Sequence, residues 1–336
     1  MSRVPSPPGS TVDGGSPART TMRTIESDAA RTTACTPEPD AGPQGSRWAS
    51  LAAPTAVVVT VILWASSFVI VRWAAPIFSP GPLALIRLVA GVAMLTLLVL
   101  LLRRSLPPLP PLRVVLLIAL YGVLWFAGYT VLLNQTGHHL DAGTAAMVVN
   151  LSPILVAVAA GVLFQEGWPR SLFLGMAVAL LGIGVITAAA GGGQVSLVGV
   201  VLALIAAVTY AAGMLLQRTV LPHAEPLTVV WLGCLAGTLA VLPWAPQAWH
   251  ELQSAPPAAT FSAVFMGVGA TALGFWLWAF AQTRMHTGRL AACSLSVPAV
   301  AILMSAAALR EIPTPLAMIG GALCLAGVAV TQFGRR

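Results

Sequence analysis

Lysine is missing from all 336 residues, and charge of either sign is scarce. Arginine and acidic residues together make up 8% of the chain, against 57% hydrophobic residues. A water-soluble domain carries roughly 25% charged residues. So small a charged fraction cannot cover the surface of a soluble chain this long, and the apolar residues must face lipid. Cysteine is also rare. Cys35 lies in a polar N-terminal stretch, while Cys234, Cys293 and Cys324 lie singly in apolar runs. Without paired spacing they give no disulfide framework and no zinc site. No P-loop, HExxH or GxSxG motif occurs, which argues against ATP as an energy source and against those hydrolytic chemistries. GVGATA (267–272) sits inside an apolar run with no strand before it, so its glycines read as helix packing. No carboxylate falls in the middle of an apolar run: Asp141, Glu166, Glu225, Glu251 and Glu311 stand at or beyond run ends, and the other five lie before residue 50.

What is present is a succession of apolar runs. Residues 1–50 are rich in Ser, Thr, Pro and Gly and nearly free of large apolar residues, so they are expected to be a disordered tail. They contain no signal-peptide core, and Met1 and Met22 are both possible starts. From Ala52 onward ten runs approach the ~20 residues that a membrane span needs: 53–73, 82–102, 112–133, 143–164, 171–190, 196–217, 226–244, 258–280, 290–309 and 315–333. The expected fold is all-α and integral to the membrane. With the N-terminus inside, 14 of the 17 arginines fall on the inner side, which puts both termini in the cytoplasm. Arginines dispersed between spans also argue against nucleic acid as a partner. A composition rich in Ala, Gly, Pro and Arg suggests a high-GC bacterium and hence an inner membrane.

The chain repeats itself. A shift of 145 residues lays Gly122 on Gly267, Pro153 on Pro298, Glu166 on Glu311, Gly175 on Gly320 and Gly182 on Gly327. WASSFVIVR (64–72) lies over YAAGMLLQR (210–218), and GPLALIRL (81–88) over EPLTVVWL (225–232). The expected units are a first repeat at 51–192 and a second at 193–336. Each holds five spans. An odd number means that the second enters from the opposite side, so the repeats are inverted, an architecture common among secondary transporters.

LWASSFVIVRWA (63–74), PLALIRLVAG (82–91), LSPILVAVAAGVLFQE (151–166) and VPAVAILMSAAALRE (297–311) together resemble the EamA-type transporters of the drug/metabolite transporter superfamily. The likeness covers about residues 52–334. It implies a five-plus-five inverted bundle with a central cavity lined by spans 1–4 and 6–9. It also implies transport of small metabolites, often amino acids and often outward. Trp231 stands where the first half has Arg87, a departure from the internal symmetry.

Several residues are candidates for the cavity. Arg87 sits about two turns into span 2, where an arginine is costly. It is either an anchor for a substrate carboxylate or charge partner, or a side chain snorkelling to the interface. Polar and aromatic groups in mid-span should point inward, which selects Trp64, Ser67, Tyr129, Asn150, Tyr210, Trp276 and Ser296. Ser67 and Ser296 could equally serve helix-to-helix bonding. Pro153 and Pro298 remove a backbone donor each and are expected to be matched bending points. Glu166 and Glu311 close spans at the water boundary and read as structural partners of arginine or of the next helix. His138 and His139 with Asp141 fall short of a metal site, and neither metal nor cofactor is expected. The sequence thus points to a secondary transporter, not an enzyme, exporting a small polar metabolite by alternating access. The alternatives are an uptake permease of the same fold or a membrane enzyme acting on a lipid-linked substrate. Partners are a small-molecule solute and the bilayer, with oligomeric state open.

Overall fold

A computed structural model describes residues 43–104, 107–163, 170–191, 196–282, 284–285 and 293–333. Residues 1–42 of the expected tail (1–50) and Glu166 lie outside the described residues, while residues 43–50 begin the first helix instead of continuing an unstructured tail. All regular structure among the described residues is helical. Among the described residues six helices are long and apolar enough to cross a membrane and four further apolar helices are shorter; two of these ten, Pro226–Ser254 and Ala142–Val156, are interrupted and carry two labels each. We number them α1 (Pro43–Ala74), α2 (Pro80–Arg103), α3 (Leu112–Thr136), α4 (Ala142–Val149), α5 (Ser152–Leu163), α6 (Arg170–Gly191), α7 (Leu197–Val220), α8 (Pro226–Val241), α9 (Ala245–Ser254), α10 (Pro257–Gln282), α11 (Ser296–Leu309) and α12 (Pro315–Phe333).

Local chemistry sets the ends. α2 and α8 both begin on proline, whose fixed φ suits the first helical position and whose missing N–H is not needed there. Asp141 caps α4 by accepting from Thr144 N at 2.9 Å, and Ser196 caps α7 by accepting from Gly199 N at 3.3 Å. Large apolar residues such as Leu101, Leu181, Phe261 and Leu303 remain exposed on the outer face, as suits contact with lipid chains. Inside, several polar groups find partners within the bundle, as a medium without water favours. Thr60 Oγ1 donates to Ala56 O at 2.8 Å, and Trp64 Nε1 reaches across to Ala270 O at 3.2 Å.

Three irregularities position the interior. α3 and α10 each contain a π-helical stretch, Val123–Tyr129 and Met266–Leu273. Such stretches widen a helix and re-aim its side chains. The fourth apolar run is broken at Asn150–Leu151, between α4 and α5. Asn150 Nδ2 donates back to Ala146 O at 2.9 Å, helping to close α4. Pro153 therefore sits in the first turn of a new helix instead of bending a continuous one, where its missing donor costs little. A turn at Leu295 precedes α11 in the same way, with Pro298 in its first turn.

Helices cross closely where glycines meet. A Cβ on Gly122 of α3 would lie 2.1 Å from Gly233 O of α8, and one on Gly267 of α10 would lie 2.2 Å from Arg87 O of α2. α6 packs on α12 likewise: a Cβ on Gly182 would lie 2.5 Å from Gly320 O, and one on Gly327 would lie 2.5 Å from Gly175 O. Small residues allow this approach, which is where packing energy comes from when lipid replaces water.

Candidate functional site

A cavity of about 90 Å³ lies where α1–α5, α7, α10 and α11 converge. α1 contributes Trp64, Ser67 and Phe68 to its wall, and α2 contributes Arg87. The π stretch of α3 supplies Trp125, Phe126 and Tyr129, with Thr130 and Leu133 beyond it. The break between α4 and α5 supplies Asn150, Ser152 and Pro153. Tyr210 comes from α7, Phe275 from α10, and Ser294 and Val297 from the start of α11.

Aromatic rings dominate this wall. Trp125 meets Tyr210 edge-on at 4.7 Å and Phe275 at 5.4 Å. Tyr129 meets Tyr210 at 5.4 Å, and Trp64 meets Phe275 at 5.7 Å. The tilted and T-shaped arrangements are those that favour aromatic pairs. A second cavity of about 180 Å³ shares Trp64, Trp125, Tyr210 and Phe275 with the first. It extends to Gln217 and Leu221 at the end of α7 and Pro226 at the start of α8. Those four rings are thus a common wall between the central cavity and one end of the bundle.

Arg87 is the charged group of the central cavity. Its side chain is buried, at 6% exposure, and does not snorkel. Nε donates to Thr271 Oγ1 at 2.9 Å, and Thr271 belongs to the π stretch of α10. NH1 is buried with no hydrogen-bond partner, and so is Trp125 Nε1. At the far end from the second cavity, Arg72 grips Glu311. Nε lies 3.1 Å from both carboxylate oxygens, NH2 lies 3.0 Å from Oε1, and NH1 donates to Gly137 O at 3.1 Å. One arginine thereby ties the end of α1, the α3–α4 connection and the α11–α12 connection. His138 sits beside this cluster. Partial burial, then His139 and Arg72, push its imidazole below the ordinary histidine value. Among the described residues no group of three or more His, Cys, Asp or Glu is arranged to hold a metal.

The candidates chosen from sequence divide clearly. Trp64, Ser67, Arg87, Tyr129, Asn150, Pro153 and Tyr210 share the central cavity. Trp276 and Ser296 do not line it. Trp276 faces a separate outer cleft beside the Arg103–Glu225 ion pair. Ser296 is exposed, and its Oγ donates to Cys293 O at 2.5 Å. Pro298 is buried and does not line the cavity, although its neighbour Val297 does. Phe275 was not chosen, yet it touches Trp64, Trp125 and Phe126. Its spacing was the available signal: Thr271, Phe275 and Trp278 lie four and three residues apart, on one helical face, which Trp276 leaves.

A helical membrane bundle enclosing a small, aromatic-walled cavity is the form of a solute transporter. The EamA-like transporter family model matches residues 51–188 and again 197–333. The chain belongs to this family, within the drug/metabolite transporter superfamily, and is a multi-pass membrane transporter and not an enzyme. It is 34% identical over 285 residues to a Streptantibioticus cattleyicolor protein named "Probable terminal-alkyne amino-acid exporter", covering 84% of this chain and 94% of that one. It is 25% identical over 293 residues to a Salmonella typhimurium "Probable amino-acid metabolite efflux pump", covering 83% and 94%. A solved crystal structure shares the fold at TM-score 0.57 and 19% identity, covering 84% of this chain and 98% of the other.

Proposed function

We propose that this protein is a secondary carrier exporting a small amino acid or related metabolite by alternating access. The observation that carries the proposal is the central cavity. It lies between helices of both halves, walled by rings and supplied with a few hydrogen-bonding groups, as small organic solutes require. The names of the two relatives above support amino-acid metabolites as the class and outward movement as the direction.

In this reading the chain is a tail (1–50) and two repeats (51–192 and 193–336), each with five spans, inserted with opposite orientation. Support comes from features recurring at a spacing of about 145 residues. These are the two π stretches, the two helix breaks ahead of Pro153 and Pro298, and the two glycine crossings of α6 with α12. Gly182 against Gly320 becomes Gly327 against Gly175 under that shift. Both termini lie in the cytoplasm and the membrane is the bacterial inner membrane, by arginine placement. Trp64, Ser67, Tyr129, Asn150 and Tyr210 line the route of the solute. The four-ring wall closes the end facing the α7–α8 connection, and Arg72 with Glu311 closes the other. Opening one while the other holds gives alternating access.

Purified protein in proteoliposomes tests this. A panel of apolar amino acids, including one with a terminal alkyne, is loaded inside, and efflux is followed with and without an opposing gradient. Saturable flux that is reduced by Trp64→Ala, Asn150→Ala and Tyr210→Ala is expected. Flux of none of the panel, or full flux in all three variants, refutes the assignment.

A further inference from the structure

Among the described residues, Arg87 carries a charge with no counter-charge. The described carboxylates are all engaged elsewhere: Asp141 caps α4, Glu225 pairs with Arg103, Glu251 accepts from Ser79 N, and Glu311 holds Arg72. None lines the cavity. A guanidinium has five N–H donors, and here Thr271 takes the one on Nε while NH1 has none. A buried, uncompensated charge is expensive, so its retention calls for a partner that arrives from outside.

A second observation points the same way. Of the buried polar side-chain atoms without a partner, two belong to cavity-lining residues, Arg87 NH1 and Trp125 Nε1, and both are donors. The described residues that line the cavity bring no negative charge, and they leave these two donors without an acceptor. On the apolar side it offers the faces and edges of rings.

We infer that Arg87 reads the substrate's carboxylate, so that the class carried is apolar monocarboxylates, amino acids included, and not amines or neutral amides. This rests on the transport reading above and narrows it. The carboxylate supplies the missing charge and acceptor oxygens, and the apolar tail lies among the rings. An α-ammonium group has no carboxylate to meet in the cavity. Its place is against the ring faces, which attract cations modestly, so it is tolerated but not required.

The test uses full-length protein in nanodiscs and three matched ligand series spanning side chains from propargyl to benzyl. These are the amino acids, their des-amino acids and their amino-acid amides. Ligand-induced thermal stabilisation gives relative affinities. The amino acids and des-amino acids should bind within a few-fold of each other, and the amides at least ~tenfold more weakly, since an amide keeps one acceptor oxygen but brings no negative charge to the buried guanidinium. Arg87→Gln should collapse that discrimination, and Arg87→Lys should keep part of it. The wild-type comparison decides alone if Arg87→Gln does not fold. Amides binding as well as acids overturn the inference and leave the carrier reading intact. Des-amino acids failing where amino acids bind also overturn it, because the ammonium is then essential. No stabilisation by any series overturns the transport reading and this inference together.

Discussion

Gly122→Ala tests the tightest helix crossing and its link to the cavity. Gly122 is the last residue before the π stretch that carries Trp125 and Phe126. A Cβ there would lie 2.1 Å from Gly233 O, 2.8 Å from its carbonyl carbon and 2.9 Å from its Cα. All three are backbone atoms, so no change of rotamer relieves the clash. Carbon contacts are comfortable from about 3.5 Å, so α3 and α8 must separate by about 1 Å. Overpacking of this kind costs roughly 1–3 kcal/mol, while Gly→Ala in a helix returns ~1 kcal/mol. Gly184→Ala in α6 isolates the second effect, because a Cβ there meets nothing within 4 Å. The propensity gain cancels between the two variants, leaving Gly122→Ala about 1–3 kcal/mol less stable than Gly184→Ala. At about 2–4 °C per kcal/mol for chains somewhat shorter than this one, melting temperatures in one detergent should differ by roughly 2–12 °C. Flux should fall in Gly122→Ala, whose ring wall is displaced, and be unchanged in Gly184→Ala. Equal melting temperatures would refute the close crossing. A stability loss with full flux would separate the crossing from the cavity.

Glu311→Gln removes the charge from the Arg72 clamp. Both side chains are about one-third exposed, which limits the bidentate pair to about 0.5–1 kcal/mol, so a cysteine placed at Ser67 should react with a small thiol reagent about 2–5-fold faster in this background. His138, held below its ordinary value, favours the neutral ring in the folded state. Its contribution is therefore complete above the unfolded histidine range, near pH ~6.5, and is lost as pH falls through the lower folded value. Melting temperature should drop more between pH 7.5 and pH 5 in the wild type than in His138→Gln. Pro153→Ala allows α4 and α5 to join, and slower flux at unchanged expression is the expected result. Wild-type rates would remove the break from the mechanism.

Much of the architecture was legible because the membrane leaves few choices. Backbone groups in hydrocarbon must be bonded within the segment, so long apolar runs become helices. The α6–α12 crossing could be anticipated from Gly182 and Gly327 recurring at one spacing. The π stretches could not, since nothing in VLWFAGY or MGVGATAL separates an i+5 pattern from an i+4 one. That distinction depends on how α3 and α10 meet neighbouring helices. The role of Pro153 is not legible in the sequence for a related reason. Composition shows that Pro153 cannot donate, but whether the helix bends through it or starts afresh depends on Asn150 turning its amide back to Ala146 O.

Within the bundle, polarity in mid-span does not by itself decide which groups line the cavity: Asn150 bonds back to Ala146 O and still lines it. Ser296 satisfies itself on Cys293 O within its own turn and needs no cavity. Trp276, amphipathic, sits in an outer cleft beside an ion pair, while apolar Phe275 one residue earlier takes the central position. Arg87 is the opposite case, because its reach and its five donors exceed what its own helix turn offers. It must therefore be answered from another element. Thr271 answers only Nε, and that hydroxyl is presented by a π stretch in the other half of the chain. The Arg87 environment thus depends on how α2 and α10 sit at their glycine crossing, where Gly267 meets Arg87 O. Movement between those helices would change the guanidinium's surroundings directly, which makes the charged group of the cavity and the joint between the halves one structural feature.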